Sequence, residues 1–133
     1  MVKVCYCLRR LPNLSREEFQ RYWLKVHTRA AGADAATTLG IRRYVQLHTL
    51  DHDSNARLRA TRACPVEEFD GIAEVWFDGA EAMFAAMQTP AGRATLQAFI
   101  DDEARFIDWS RSTMLIGVEQ VLLPAAAAKT KGG

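Results

Sequence analysis

The sequence predicts an α+β domain of order βαββαβ, with a four-stranded antiparallel sheet and its helices packed on one sheet face. Three observations predict it. Four segments alternate in polarity with the period of two that a strand imposes, two longer stretches carry apolar residues at helical spacing, and Gly, Pro and Asn separate them in that order.

In residues 2–9, Val2, Val4, Tyr6 and Leu8 point one way and Lys3, Cys5, Cys7 and Arg9 the other, as in a strand with one oily face. Residues 10–14, with Pro12 and Asn13, make the connection. Ser15 then caps a helix, and Glu18 three residues on completes a capping box. Phe19, Tyr22, Trp23, Val26 and Ala30 fall on one buried stripe, and this helix is expected to run through the Ala-rich stretch to about Thr37. After Gly40, residues 41–48 form the second strand. Residues 50–69 are a long polar connection, expected to cover a pocket mouth or to reach a partner subunit. In the third strand, residues 70–77, Ala73, Val75 and Phe77 make a wholly apolar face, while Ile72, Glu74 and Trp76 make a mixed one. Residues 81–87 and 92–100 are helical with a break near Pro90, residues 101–108 turn Phe106 inward, residues 111–123 form the last strand and residues 124–133 a frayed tail. This is the ferredoxin-like order. At 133 residues the chain suits one domain, expected over residues 1–123, that buries about two-thirds of its unfolded surface.

Composition narrows the function. A content of 49% hydrophobic and 25% charged residues is that of an ordinary globular domain, and a net charge of +1, with both signs interspersed, offers no footprint for nucleic acid or an anionic membrane. No stretch approaches the roughly 20 apolar residues that cross a bilayer, and no signal peptide opens the chain, so a cytoplasmic location is expected. Cys5, Cys7 and Cys64 are odd in number, and two share a strand, which argues against a disulfide framework.

With the helices on one sheet face, the other is left open. Alternation assigns Trp76, Tyr44 and Cys7 to that open face together with Glu74, Gln46 and His48. Leaving its apolar part in water costs roughly 25 cal/mol per Å². A second copy removes that cost, so a homodimer is expected, with two facing sheets forming a barrel whose interior can hold a small hydrophobic or aromatic substrate.

Leu14-Ser-Arg-Glu-Glu-Phe19 with Tyr22-Trp23 and His27, Phe69-Asp-Gly-Ile-Ala-Glu-Val-Trp-Phe-Asp78, and Asp102-Glu-Ala-Arg-Phe-Ile-Asp108 stand in an order and spacing that resembles the EthD family of dimeric α/β-barrel proteins. The resemblance extends over nearly the whole chain. The family takes its name from a protein required alongside a cytochrome monooxygenase system for ether degradation, and related barrels include polyketide cyclases, a methylmuconolactone isomerase and cofactor-free quinone-forming monooxygenases. It therefore implies the architecture and leaves the reaction open.

Among candidate site residues, His27 comes first, because related barrels place a helix-borne histidine at the cavity mouth. An imidazole with pKa near 6.5 can accept or deliver a proton at cellular pH. The plain alternative is a half-buried histidine packed on Trp23. Glu74, between Ile72 and Trp76, is expected on the pocket face, where it would orient His27 or act as a base; its plain alternative is an ion pair with Arg42 or Arg111. Tyr44 and His48 share a strand face and are expected to position a phenolic or carbonyl substrate, although His48 also reads as a solvated strand end. Trp76, Phe106, Trp23 and Cys7 are expected as walls of the substrate site. His48, Asp51, His52 and Asp53 lie at a strand end and turn, not at the helical spacing of a metalloprotease motif, and Cys5 and Cys7 lack the second pair of a zinc knuckle. The isolated glycines form no phosphate loop. Neither metal nor cofactor is expected. Three functions follow: a cofactor-independent lyase, isomerase or cyclase acting through His27 on an aromatic, polyketide-like or lactone substrate; a cofactor-free oxygen-using monooxygenase; or a non-catalytic ligand-binding or accessory protein.

Overall fold

A computed structural model describes residues 1–127. Four strands, β1 (Val2–Leu8), β2 (Arg43–His48), β3 (Gly71–Phe77) and β4 (Thr113–Gly117), pair antiparallel in the order β2-β3-β1-β4, the ferredoxin-like topology. Five helices connect them: α1 (Arg16–Lys25), α2 (Ala35–Leu39), α3 (Ser54–Ala60), α4 (Ala80–Gln88) and α5 (Pro90–Glu103). Val4, Leu8, Ala73, Val75 and Phe77 are buried under the helices, as alternation predicts.

Helix α1 starts where its cap dictates. The Ser15 hydroxyl accepts from the Glu18 backbone N–H at 3.1 Å, and the Glu18 carboxylate accepts from Ser15 N–H at 3.0 Å. Phe19 and Trp23 are its two fully buried residues. The helix does not continue to Thr37. It stops at Lys25, a short 3₁₀ turn covers His27–Arg29, and the chain bends again at Gly32, whose φ of +85° lies in the left-handed region. Alanine's helix propensity is outweighed by that glycine and by the bond that ties His27 to a carboxylate on α5. The last strand is also shorter than expected. Gly117 pairs with Lys3, one residue from the start of β1, so residues 119–123 run past the end of β1 and have no backbone of that strand to pair with. The expected tail begins without regular structure, and residues 128–133 lie outside the described residues.

The main correction concerns β2. Tyr44 lies opposite Val75, Gln46 opposite Ala73 and His48 opposite Gly71, so all three belong to the helix-covered face. The open face instead carries Arg43, Val45 and Leu47 beside Trp76, Glu74 and Ile72, together with Lys3, Cys5, Cys7 and Leu115. In a strand, a register change of one residue exchanges the two faces entirely.

The buried side chains form two clusters. One gathers Leu8, Phe19, Trp23, Ala73, Phe106 and Ile107; the other gathers Val4, Val75, Phe77 and Met83, and Tyr6 packs against both. A cavity lies between them.

The connection 50–69 contains α3 and is pinned by ion pairs. Asp70, 3% exposed, accepts from Arg10 N–H at 2.8 Å, from the Arg10 guanidinium and from Arg16 Nε at 2.9 Å. Glu68 bridges Arg16 and Arg59, and Arg9 donates to the carbonyls of Glu67 and Glu68. No residue of 50–69 lines the cavity, which corrects the expectation of a cover over the pocket mouth.

Candidate functional site

The cavity, of about 340 Å³, lies between the sheet and the helices, within the usual range for small-ligand sites. Its walls are mostly apolar, among them Trp23, Val75, Phe77, Leu96 and Phe99. Four titratable side chains line it: Tyr6, His27, Tyr44 and Glu103.

His27 leaves the 3₁₀ turn after α1 and enters the cavity wall, 8% exposed. Its ring lies between Phe99 and Phe106, with centroids at 5.3 and 5.0 Å. Nδ1 stands 2.8 Å from Asp102 Oδ2, and because a carboxylate only accepts, Nδ1 carries the hydrogen. The Tyr22 hydroxyl donates to the other Asp102 oxygen at 2.6 Å. This pair of bonds fixes the tautomer and leaves the Nε2 lone pair free, 3.7 Å from Glu103 Oε2. Burial pushes the imidazole pKa below its ordinary 6.5, against the opposing pull of Asp102. At neutral pH the ring is therefore an uncharged base, and Asp102 stands ready to stabilise the imidazolium formed when a proton arrives.

Glu103 is the other unusual group. Burial, and next the charge of neighbouring Asp102, push its carboxyl up to about 7. Burial likewise pushes the Tyr6 hydroxyl up to about 12, with Glu103 and Tyr44 adding to the effect. Among the described residues, neither the Glu103 carboxyl nor the Tyr6 hydroxyl makes a hydrogen bond. Tyr44, at 42% exposed, lines the cavity where it meets solvent, and its hydroxyl accepts from Gln46 Nε2 at 2.8 Å.

Of the other residues expected at the site, Trp23 lines the cavity, and the position of Gly71 shows how closely that indole lies on β3. A Cβ on Gly71 would stand 2.4 Å from Trp23 Cζ3. His48 stacks on the far side of Trp23, centroids 4.8 Å apart and planes 12° apart, and supports the wall without lining it. Phe106, fully buried, packs behind His27. Glu74, Trp76 and Cys7 lie on the open sheet face, away from the cavity. Glu74 pairs there with Lys3 at 2.8 Å, neither orienting His27 nor meeting Arg42, which holds Asp78. Trp76 lies under Lys3 and Arg43 and donates to Glu119. Among the described residues, no three His, Cys, Asp or Glu side chains are grouped to hold a metal ion, and no helix is long and apolar enough to cross a membrane.

A family model for the EthD domain matches residues 11–110. The chain belongs to the EthD family. Its fold is shared with an EthD family protein from Bacillus halodurans, at 21% identity and a TM-score of 0.55, covering 90% of this chain and 99% of that one. A dimeric protein of unknown function and ferredoxin-like fold from Bacteroides fragilis is similar at 14% identity and a TM-score of 0.52, covering 87% and 93%. SnoaB, a cofactor-independent oxygenase from Streptomyces nogalater, is similar at 14% identity and a TM-score of 0.50, covering 93% and 97%. Likeness at these identities is likeness of fold. No curated protein matches the chain.

In this EthD chain, Asp102 and Glu103 are the functional candidates that sequence reasoning misses. The signal was present: Phe99, Asp102, Glu103 and Phe106 follow i, i+3, i+4, i+7, so two carboxylates stand on an aromatic stripe. Glu103 also supplies a test of the cavity's polarity. Its folded pKa is raised, so its contribution to stability is fully present below the ordinary carboxylate range and is lost as pH rises through about 7. Glu103→Gln is therefore expected to be more stable than the parent at pH 8, with the gain vanishing by about pH 4. Denaturant midpoints at both pH values check this; a difference that does not change with pH contradicts it.

Proposed function

We propose that this EthD-family protein is a cofactor-independent enzyme of the lyase, isomerase or cyclase type, in which His27 transfers a proton on a small hydrophobic substrate held in the cavity. The observation that carries the reading is the His27–Asp102 pair: a buried imidazole with its tautomer fixed by a carboxylate and its free nitrogen on an apolar cavity. A base so placed can remove a proton next to a carbonyl or from a phenol, and the same ring can return it elsewhere on the substrate. Asp102 acts through His27 as a positioning residue. Tyr6 and, when protonated, Glu103 are the groups of the same wall able to donate to an oxygen that gains charge.

The decisive experiment follows solvent deuterium entering the carbon beside the carbonyl of 2-tetralone by NMR. The protein is expected to accelerate exchange above buffer, and His27→Gln to abolish the acceleration. No acceleration by the parent on this or other bicyclic aromatic ketones overturns the reading. A second reading, oxygen insertion without cofactor, starts from the same step on a phenol, and it is supported by the likeness in fold to a cofactor-independent oxygenase. Oxygen uptake that requires a phenolic substrate would select it.

The open sheet face supports a homodimer in this reading. Leu47 and Leu115 are 55% and 56% exposed there, beside Trp76 and Ile72. Light scattering at micromolar concentration is expected to give twice the chain mass, and Leu47→Glu to shift the protein towards monomer. A monomeric parent rules the dimer out.

A further inference from the structure

The described residues that line the cavity include no lysine and no arginine. Cations around the fold have other partners: Arg10 and Arg16 hold Asp70, Lys3 and Arg43 lie on the opposite sheet face around Trp76, and Arg105, largely exposed, stands 3.9 Å from Asp102 without lining the cavity. The charged groups nearest the interior are acids, Glu103 in the wall and Asp102 behind His27. An anionic ligand would thus lose its hydration and meet only like charge.

Two polar groups of the wall, Tyr44 and Tyr6, have a hydroxyl hydrogen to give. Gln46 donates to the Tyr44 oxygen and to the Trp23 carbonyl at 3.2 Å, while its own oxygen accepts from His48 Nε2–H at 2.7 Å. The amide orientation is thereby set, and Tyr44 keeps its hydroxyl hydrogen to give. The Tyr6 hydroxyl is uncommitted among the described residues. Resting on the reading that substrate occupies this cavity, we infer that it selects a neutral aromatic ligand bearing a carbonyl oxygen, received by the hydroxyls of Tyr44 and Tyr6, and rejects carboxylates and phosphates. Burial keeps both phenols protonated, which preserves them as donors across the physiological range.

Three probes with one ring system test this: 2-acetonaphthone, 2-ethylnaphthalene and 2-naphthoate, titrated into the full chain at pH 8 by tryptophan fluorescence and calorimetry. The ketone is expected to bind. The ethyl compound, lacking the acceptor, should bind roughly 2- to 12-fold more weakly, the equivalent of one net hydrogen bond. The carboxylate should bind at least ~10-fold more weakly than the ketone. Tyr44→Phe should reduce the advantage of the ketone over the ethyl compound; an advantage that survives intact in both Tyr44→Phe and Tyr6→Phe overturns the assigned donors. A carboxylate that matches the ketone, or a ketone that does not bind, overturns the inference. His27→Gln separates this from the proton-transfer reading: it should keep the ketone preference while losing deuterium exchange. Exchange lost without any ketone preference refutes only the ligand class, and ketone preference with exchange at the parent rate refutes only the catalytic role.

Discussion

Replacing His27 by Gln is expected to slow proton transfer by roughly 10²- to 10⁴-fold, the usual loss when a general base is removed. The sequence places His27 at the edge of an aromatic stripe, from which an unchanged melting temperature would follow. The structure does not allow that. The ring is buried between Phe99 and Phe106 and satisfies an Asp102 oxygen, so the variant is also expected to lose on the order of 1 to 3 kcal/mol of stability. Stability therefore cannot decide between a catalytic and a packing histidine. Asp102→Asn can. An amide facing Nδ1 with its NH₂ group would move the ring hydrogen to Nε2 and remove the base while leaving the imidazole in place. The deuterium-exchange rate of that variant is expected to fall nearly as far as that of His27→Gln. If both variants exchange at the parent rate, His27 is a core residue and nothing more.

How far the sequence could be read depended on how local each determinant is. The Ser15–Glu18 box and the Phe19–Trp23 spacing act within one helix, and both were legible. So were β1 and β3, whose oily faces alternate without interruption. In β2 the alternating sets are Tyr44, Gln46 and His48 against Arg43, Val45 and Leu47, and neither is clearly the inner one. Its orientation is fixed by pairing with β3 across a long connection, a non-local fact. That ambiguity puts Tyr44, Gln46 and His48 on the open face, whereas Glu74, Trp76 and Cys7 do lie there and enter the expected site because that face is read as the inner wall of a dimeric barrel. Asp102 and Glu103 were missed for a different reason: carboxylates near a helix end normally signal a solvated face, and only the fold brings His27 against them. The break after Lys25, which alanine-rich sequence conceals, is what turns His27 inward.

Asp70→Asn is expected to produce the largest loss of stability, about 3 to 5 kcal/mol, because it leaves two guanidiniums facing a neutral side chain at a nearly buried position. In a chain of this size that amounts to a fall in Tm of ~10 °C or more. The pH dependence supplies a second signature. Burial works to raise the Asp70 pKa, but the Arg10 backbone N–H and the two guanidiniums outweigh it, and the carboxyl is held below its ordinary value of 3.8. A depressed folded pKa contributes stability that is present above the unfolded value and is lost as pH falls through the folded one. The parent should thus lose this contribution below about pH 4, whereas Asp70→Asn should show a flatter stability profile over the same window. The cluster also anchors the connection 50–69 through Arg16, Glu68 and Arg59, so amide exchange in α3 should accelerate in the variant. No residue of the cluster lines the cavity, so under conditions where the variant is folded its deuterium-exchange activity should match the parent's. A stability change within ~0.5 kcal/mol would show that the arginines find other partners, and an activity loss in the folded variant would place the cluster in the site after all.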